Sequence, residues 1–202
     1  MKIIFATGNE NKVKEIRKIL DDPGIDILTM KEAGCVCDPD ENGTTFGENA
    51  LIKCRALAAL LPDRSADTVI MSDDSGLCID ALGGEPGIHS ARFMGHETSY
   101  DIKNRELIRR LEGVEGGQRS ARFECAAAAI LSDDSELLCT GKMEGLIAME
   151  PSGANGFGYD PILYLPQYGC TSAEISEEEK NAISHRGAAL RGLRELLREK
   201  GL

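Results

Sequence analysis

Two long runs, residues 120–131 and 136–147, flank the tetrapeptide Ser132-Asp133-Asp134-Ser135, and this pairing narrows the fold most. Extended runs on either side of a polar turn predict a hairpin of long strands. The four alanines at 126–129 are equally compatible with a helix. Around the pair, short apolar runs alternate with segments of helical period. Strands are predicted at residues 2–6, 25–28, 68–72, 77–81 and 161–165. Helices are predicted at 11–20, 45–61, 99–111 and 188–199. In the first of these, Val13, Ile16, Ile19 and Leu20 recur at helical spacing. Ser176 opens a further short helix, with Glu179 three residues on as a capping box. Residues 35–43 read as loop. Interleaved strands and helices indicate an α/β fold with a mixed sheet. No internal repeat or linker interrupts the 202 residues, which suit one domain or two closely joined lobes.

A chain with 42% hydrophobic residues but no Trp and 4% aromatics must build an aliphatic core. Its formal net charge of -11 argues against nonspecific nucleic-acid binding or a basic membrane-surface role. No apolar run approaches the roughly 20 residues of a spanning helix. The apolar start at residues 1–6 is too short for a signal sequence, so the expectation is a cytoplasmic protein. Cys35 and Cys37 form C-x-C rather than the C-x-x-C of a zinc or redox site. The seven cysteines read as reduced thiols packed as small hydrophobes.

Four segments hold candidate chemistry. Thr7, Gly8, Asn9, Glu10, Asn11 and Lys12 lie between the first strand and helix. They form either an anion-binding turn, with free N–H groups at a helix start, or an ordinary capped turn. Asp73 and Asp74, ahead of Ser75 and Gly76, stand where an apolar strand gives out. Carboxylates there either hold Mg²⁺ together with substrate phosphates or simply make a turn. The glycines at 83, 84 and 87 suggest a shaped loop carrying Arg92 back toward that site. Phe157 and Tyr159, between Gly156, Gly158 and Asp160, are either a platform for a base or rings folded into the core. Ser184, His185 and Arg186, with Lys180 upstream, are either donors to carbonyl or phosphate oxygens or plain helix-cap residues.

Taken together, the order ATGN-x-x-K, TF-x-ENA, DDSGL-x-x-DALGG-x-PG-x-x-SAR, GFGYDP and SHRG-x-AL resembles the inosine triphosphate pyrophosphatase family, from Phe5 to Leu190. Two positions depart from that family's pattern: His89 stands where Tyr is common, and Gly47 where a larger residue is usual. The resemblance implies an elongated mixed sheet flanked by helices, two lobes around a central cleft, and a homodimer. It implies Mg²⁺-dependent cleavage of the non-standard purine nucleotides ITP, dITP and XTP to monophosphate and pyrophosphate. Thr7 to Lys12 would hold phosphates, and Lys53 would reach them. Asp74 would be the general base, Glu41 and Asp74 would bind the metal, and Ser75 would contact substrate. Phe157, Gly158, Tyr159, Asp160, Lys180, His185 and Arg186 would complete the nucleotide site. Two rivals stay open: a nucleotide-binding sensor without catalysis, and a pyrophosphatase of other modified nucleotides.

Overall fold

The structure, a computed structural model, describes residues 1–202. Seven strands form one sheet in the order β2-β1-β3-β4-β5-β6-β7. They are β1 Lys2–Phe5, β2 Asp26–Thr29, β3 Thr68–Ile79, β4 Ser120–Ile130, β5 Glu136–Ile147, β6 Leu163–Leu165 and β7 Cys170–Thr171. β1 runs parallel to β2 and β3, whereas β6 is antiparallel to β5 and β7, so the sheet is mixed. Five helices accompany it: α1 Glu10–Ile19, α2 Phe46–Ala59, α3 Tyr100–Arg110, α4 Glu177–Ile183 and α5 His185–Glu199. No helix is long and apolar enough to cross a membrane.

The chain folds as two compact units. The first comprises Met1–Asp74, Cys125–Gly141 and His185–Leu202, and the second Ser75–Glu124 and Lys142–Ser184. In the first unit, strand alternation builds a core on each face of the sheet. Ile3, Phe5, Val69, Met71, Cys125, Ala127 and Ala129 pack with Ile16 of α1 and Leu190 and Leu193 of α5. Ile4, Ile70, Ala128 and Ile130 point the other way, onto Ala50, Cys54 and Leu57 of α2. This double covering explains why residues 126–129 are strand and not helix. Tertiary burial outweighs alanine's helix propensity, and small side chains let helices approach both faces. Close approach is clearest at Gly141, where an added Cβ would lie 2.2 Å from the His185 carbonyl oxygen. The predicted β4–β5 turn forms at residues 132–135, where Asp133 Oδ1 accepts the Ser135 N–H at 3.0 Å.

The second unit has its own core, with Leu77 and Ile79 of β3 and Leu107 of α3 packed on Phe123, Met143, Ile147 and Leu163. Buried Arg119 closes one end of it. Its guanidinium donates to the carbonyls of Leu111, Val114, Ile147 and Ala148 at 2.7–3.1 Å.

Three expectations need correcting. β3 does not stop at Ser72 but runs unbroken from Thr68 to Ile79, so the two aspartates lie inside a strand and not at its end. Residues 77–79 are therefore the continuation of that strand and not a separate one, and Asp80–Leu82 turn into a short 3-10 helix. α5 starts at His185, three residues earlier than predicted, which brings His185 and Arg186 into its first turn. The capping box of α4 is present as predicted, with both Ser176–Glu179 bonds formed.

Candidate active site

Inside a strand, neighbouring side chains point to opposite faces. Asp73 continues the series of Val69 and Met71, and Asp74 that of Ile70 and Ser72. The pair therefore does not form one carboxylate site, as the Mg²⁺ reading of the two aspartates supposed, nor does it make a turn. Each aspartate enters a different set of partners.

Asp73 meets α1 and α5. Its Oδ2 lies 3.0 Å from Lys12 Nζ and 3.1 Å from Arg186 Nε. Arg186 Nη1 also pairs with Glu15 of α1, and all three groups other than Lys12 are buried. Burial alone would raise the Asp73 carboxyl. The charges of Lys12, Arg186 and Lys53 outweigh that and hold it well below the usual carboxylate range. Arg186 responds in the same way: burial opposes its charge, but Asp73 and Glu15 raise its pKa above the ordinary value. Its guanidinium is thus committed to two carboxylates. Glu15 was not visible as a partner from sequence, although it stands three residues from Lys12, on the same helix face.

Asp74 meets α2. Its Oδ2 accepts a hydrogen bond from Asn49 Nδ2 at 3.1 Å, and its Oδ1 is 3.4 Å from Lys53 Nζ. The same ammonium lies 2.9 Å from Glu41 Oε2, so two carboxylates converge on one cation. Asn49 and Lys53 are four apart on α2 and reach Asp74 from one helix face. Fully buried Asn49 was missed as a site residue. It also accepts the Gly43 N–H at 2.9 Å, and a Cβ at Gly43 would sit 2.7 Å from that same oxygen. Burial pushes the Asp74 carboxyl up, helped by Glu41 and opposed by Lys53, Lys12 and the Asn49 bond. Burial works against the Lys53 charge, but Asp74, Asp73 and Glu41 prevail and keep it protonated. A raised carboxylate beside a fixed cation suits proton abstraction from water better than a permanently paired one does.

The turn before α1 is capped from within. Asn9 Oδ1 accepts the N–H groups of Asn11 at 3.0 Å and Lys12 at 3.3 Å, and Thr7 Oγ1 accepts that of Asn9 at 3.2 Å. Gly8 has open space around it, and Glu10 and Asn11 are exposed. His185 is buried at the start of α5.

The second unit gathers another group. Lys180 Nζ sits 2.6 Å from Asp160 Oδ2 and 5.1 Å from the centre of the Phe157 ring. Asp160 also accepts the Phe157 N–H at 2.8 Å and the Ser172 hydroxyl at 2.8 Å, which ties down the glycine loop. Asn104 donates to the Gly158 carbonyl at 3.2 Å. Phe157 is half-buried under its lysine, whereas Tyr159 is a core ring, 4% exposed. The Tyr159 hydroxyl donates to the Ser90 carbonyl at 2.7 Å, and its ring meets Tyr100 edge-on at 5.1 Å. Ser75, in β3, belongs to this unit. Tyr159→Phe should therefore cost stability, about 1–3 kcal/mol for the stranded Ser90 carbonyl. A urea melt checks this, and an unchanged midpoint would contradict it.

Comparison with known proteins places the chain. Residues 3–196 match the Ham1 family. A dITP/XTP pyrophosphatase of Escherichia coli (strain K12) is 43% identical over 201 residues, covering 98% of each chain. A dITP/XTP pyrophosphatase of Listeria innocua is 42% identical over 198 residues, covering 98% of this chain and 95% of that one. Among solved structures, a HAM1 protein from Coxiella burnetii superimposes with a TM-score of 0.85 at 40% identity, over 98% of this chain and 99% of that one. With a family match and relatives of this identity along nearly its whole length, the chain belongs to the Ham1 family.

Proposed function

We propose that this protein is a nucleoside triphosphate pyrophosphatase that hydrolyses non-standard purine nucleotides such as dITP, ITP and XTP to the monophosphate and pyrophosphate. The relatives named dITP/XTP pyrophosphatase support the reaction class. The observation that carries the chemistry is the convergence of Glu41 and Asp74 on Lys53.

That donor set fits a divalent metal. No three His, Cys, Asp or Glu side chains converge anywhere in the chain. Two carboxylates with substrate phosphates completing the shell is how Mg²⁺ is usually held. Charge points the same way. In the first unit Lys12, Lys53 and Arg186 face Glu15, Glu41, Asp73 and Asp74, so anions outnumber cations before a polyanionic substrate arrives. Glu41 and Asp74 would hold the ion, which when bound would neutralise phosphoryl charge and lower the pKa of water. Asp74 accepts the proton of the attacking water, steadied by Asn49. Lys53, kept charged by its neighbours, balances the carboxylates and faces the phosphates. Lys12 is a second phosphate donor, anchored by Asp73. In the second unit the Phe157 ring, braced by Asp160 and Lys180, is the proposed surface for the purine. The same reading takes a homodimer in the cytoplasm as the working form.

A substrate panel tests the proposal. With Mg²⁺ present, ITP, dITP and XTP should turn over well, GTP poorly and ATP hardly at all. A 6-oxygen accepts hydrogen bonds where adenine offers a donor, and unpaired donors discriminate strongly; guanine keeps that oxygen and is rejected through its 2-amino group, where xanthine carries an oxygen. EDTA should silence the activity and Mg²⁺ restore it. Equal rates on ATP and ITP would overturn the substrate class, and full activity in chelator would overturn the metal role.

A further inference from the structure

Between β2 and α2 the chain runs without regular secondary structure, yet burial alternates residue by residue. Cys35, Cys37, Pro39, Glu41 and Gly43 are half-buried, and Val36, Asp38, Asp40 and Asn42 are exposed or nearly so. An extended segment thus turns both cysteines to one face. Val36, between them, is 72% exposed. On the inward face both cysteines pack against the cluster that contains buried Met30. Cys37 Sγ lies 3.7 Å from Met30 Sδ. The Cys35 N–H donates to the Met30 carbonyl at 3.0 Å, which fastens the other cysteine to the same residue. Burial raises the Cys37 thiol pKa, and the neighbouring Cys35 and Asp38 add to the rise.

We propose that Met30, Cys35 and Cys37 form a binding site for one soft monovalent cation, Cu(I). Two thiols and a thioether are the donor types that select Cu(I), while Mg²⁺ requires oxygen and structural Zn²⁺ is usually four-coordinate with nitrogen or thiolate. Metal–sulfur bonds of about 2.3 Å set two sulfurs about 4 Å apart around one ion, close to the 3.7 Å between Cys37 Sγ and Met30 Sδ. On binding, each thiol gives its proton to solvent as its sulfur bonds to copper. The copper stays Cu(I) throughout, so no oxidant or reductant is needed. The C-x-C spacing alone pointed to packed thiols. The added observation is the thioether against one of them and the shared inward face.

The test is anaerobic titration of the full chain with Cu(I) against a colorimetric Cu(I) chelator. One copper per chain should be retained. Cys35→Ser and Cys37→Ser should each lose it, and Met30→Leu, a substitution of similar volume, should release it to less chelator than wild type. Cys139→Ser, at another half-buried free thiol, should behave as wild type. Melting curves matching wild type confirm that each variant is folded. Copper spread over several cysteines, equal loss in Cys139→Ser, or an unchanged Met30→Leu would each overturn the three-sulfur site.

Discussion

Asp74→Asn should abolish turnover and leave the fold intact. Asn keeps the shape, and its single carbonyl oxygen can accept from Asn49 or from Lys53 but not from both; it can neither accept a proton from water nor bring negative charge to a metal. Removing a general base typically costs about 10²–10⁴-fold in rate, so turnover should fall at least about a hundredfold. The fold should tolerate the change because burial pushes the Asp74 carboxyl up. A raised folded-state pKa means that the folded chain favours the neutral form, so a neutral isostere removes no net stabilisation. Steady-state kinetics and a urea melt on the same preparation read both halves. Near-wild-type turnover would remove Asp74 from the mechanism.

Its neighbour should behave in the opposite way. Asp73→Asn should destabilise the protein by about 3–5 kcal/mol, the range for breaking a buried ion pair from one side. The substitution removes the carboxylate that Lys12 and buried Arg186 share, and leaves Arg186 with Glu15. The sign follows from the depressed Asp73 pKa: the ionised form is what the folded state favours, so its charge stabilises the fold above the ordinary carboxylate range. A urea midpoint that falls with an unchanged slope is the expected signature. An unchanged midpoint would show that the network around Asp73 is not structural. Two adjacent carboxylates would thus separate cleanly, one by rate and the other by stability.

This contrast was not legible in sequence. Asp and Gly are depleted in strands, so an apolar run meeting DDSG reads as a strand ending. The strand persists because each polar side chain finds a partner from elsewhere in the chain. Lys12 and Arg186 hold Asp73, Asn49 and Lys53 hold Asp74, and the Ser72 hydroxyl pairs with the Ala50 carbonyl. Those partners lie up to 113 residues away, beyond the reach of any local pattern. The same distance effect hid Glu15, whose partner is Arg186, and drew Tyr159 into the core through the Ser90 carbonyl. The two-residue strand β7 is too short to leave a period. What local patterning did carry was the hairpin turn, the α4 capping box, and the interleaving of strands with helices. The i,i+4 spacing of Asn49 and Lys53 was available in sequence as well, but only the fold shows that both face Asp74.

The most direct measurement is the product of a single reaction. Purified wild-type protein is incubated with ITP and Mg²⁺, and nucleotide and phosphate products are resolved together. The account predicts IMP and inorganic pyrophosphate in equal amounts. IDP with orthophosphate would place the cleavage at the terminal phosphate and contradict it.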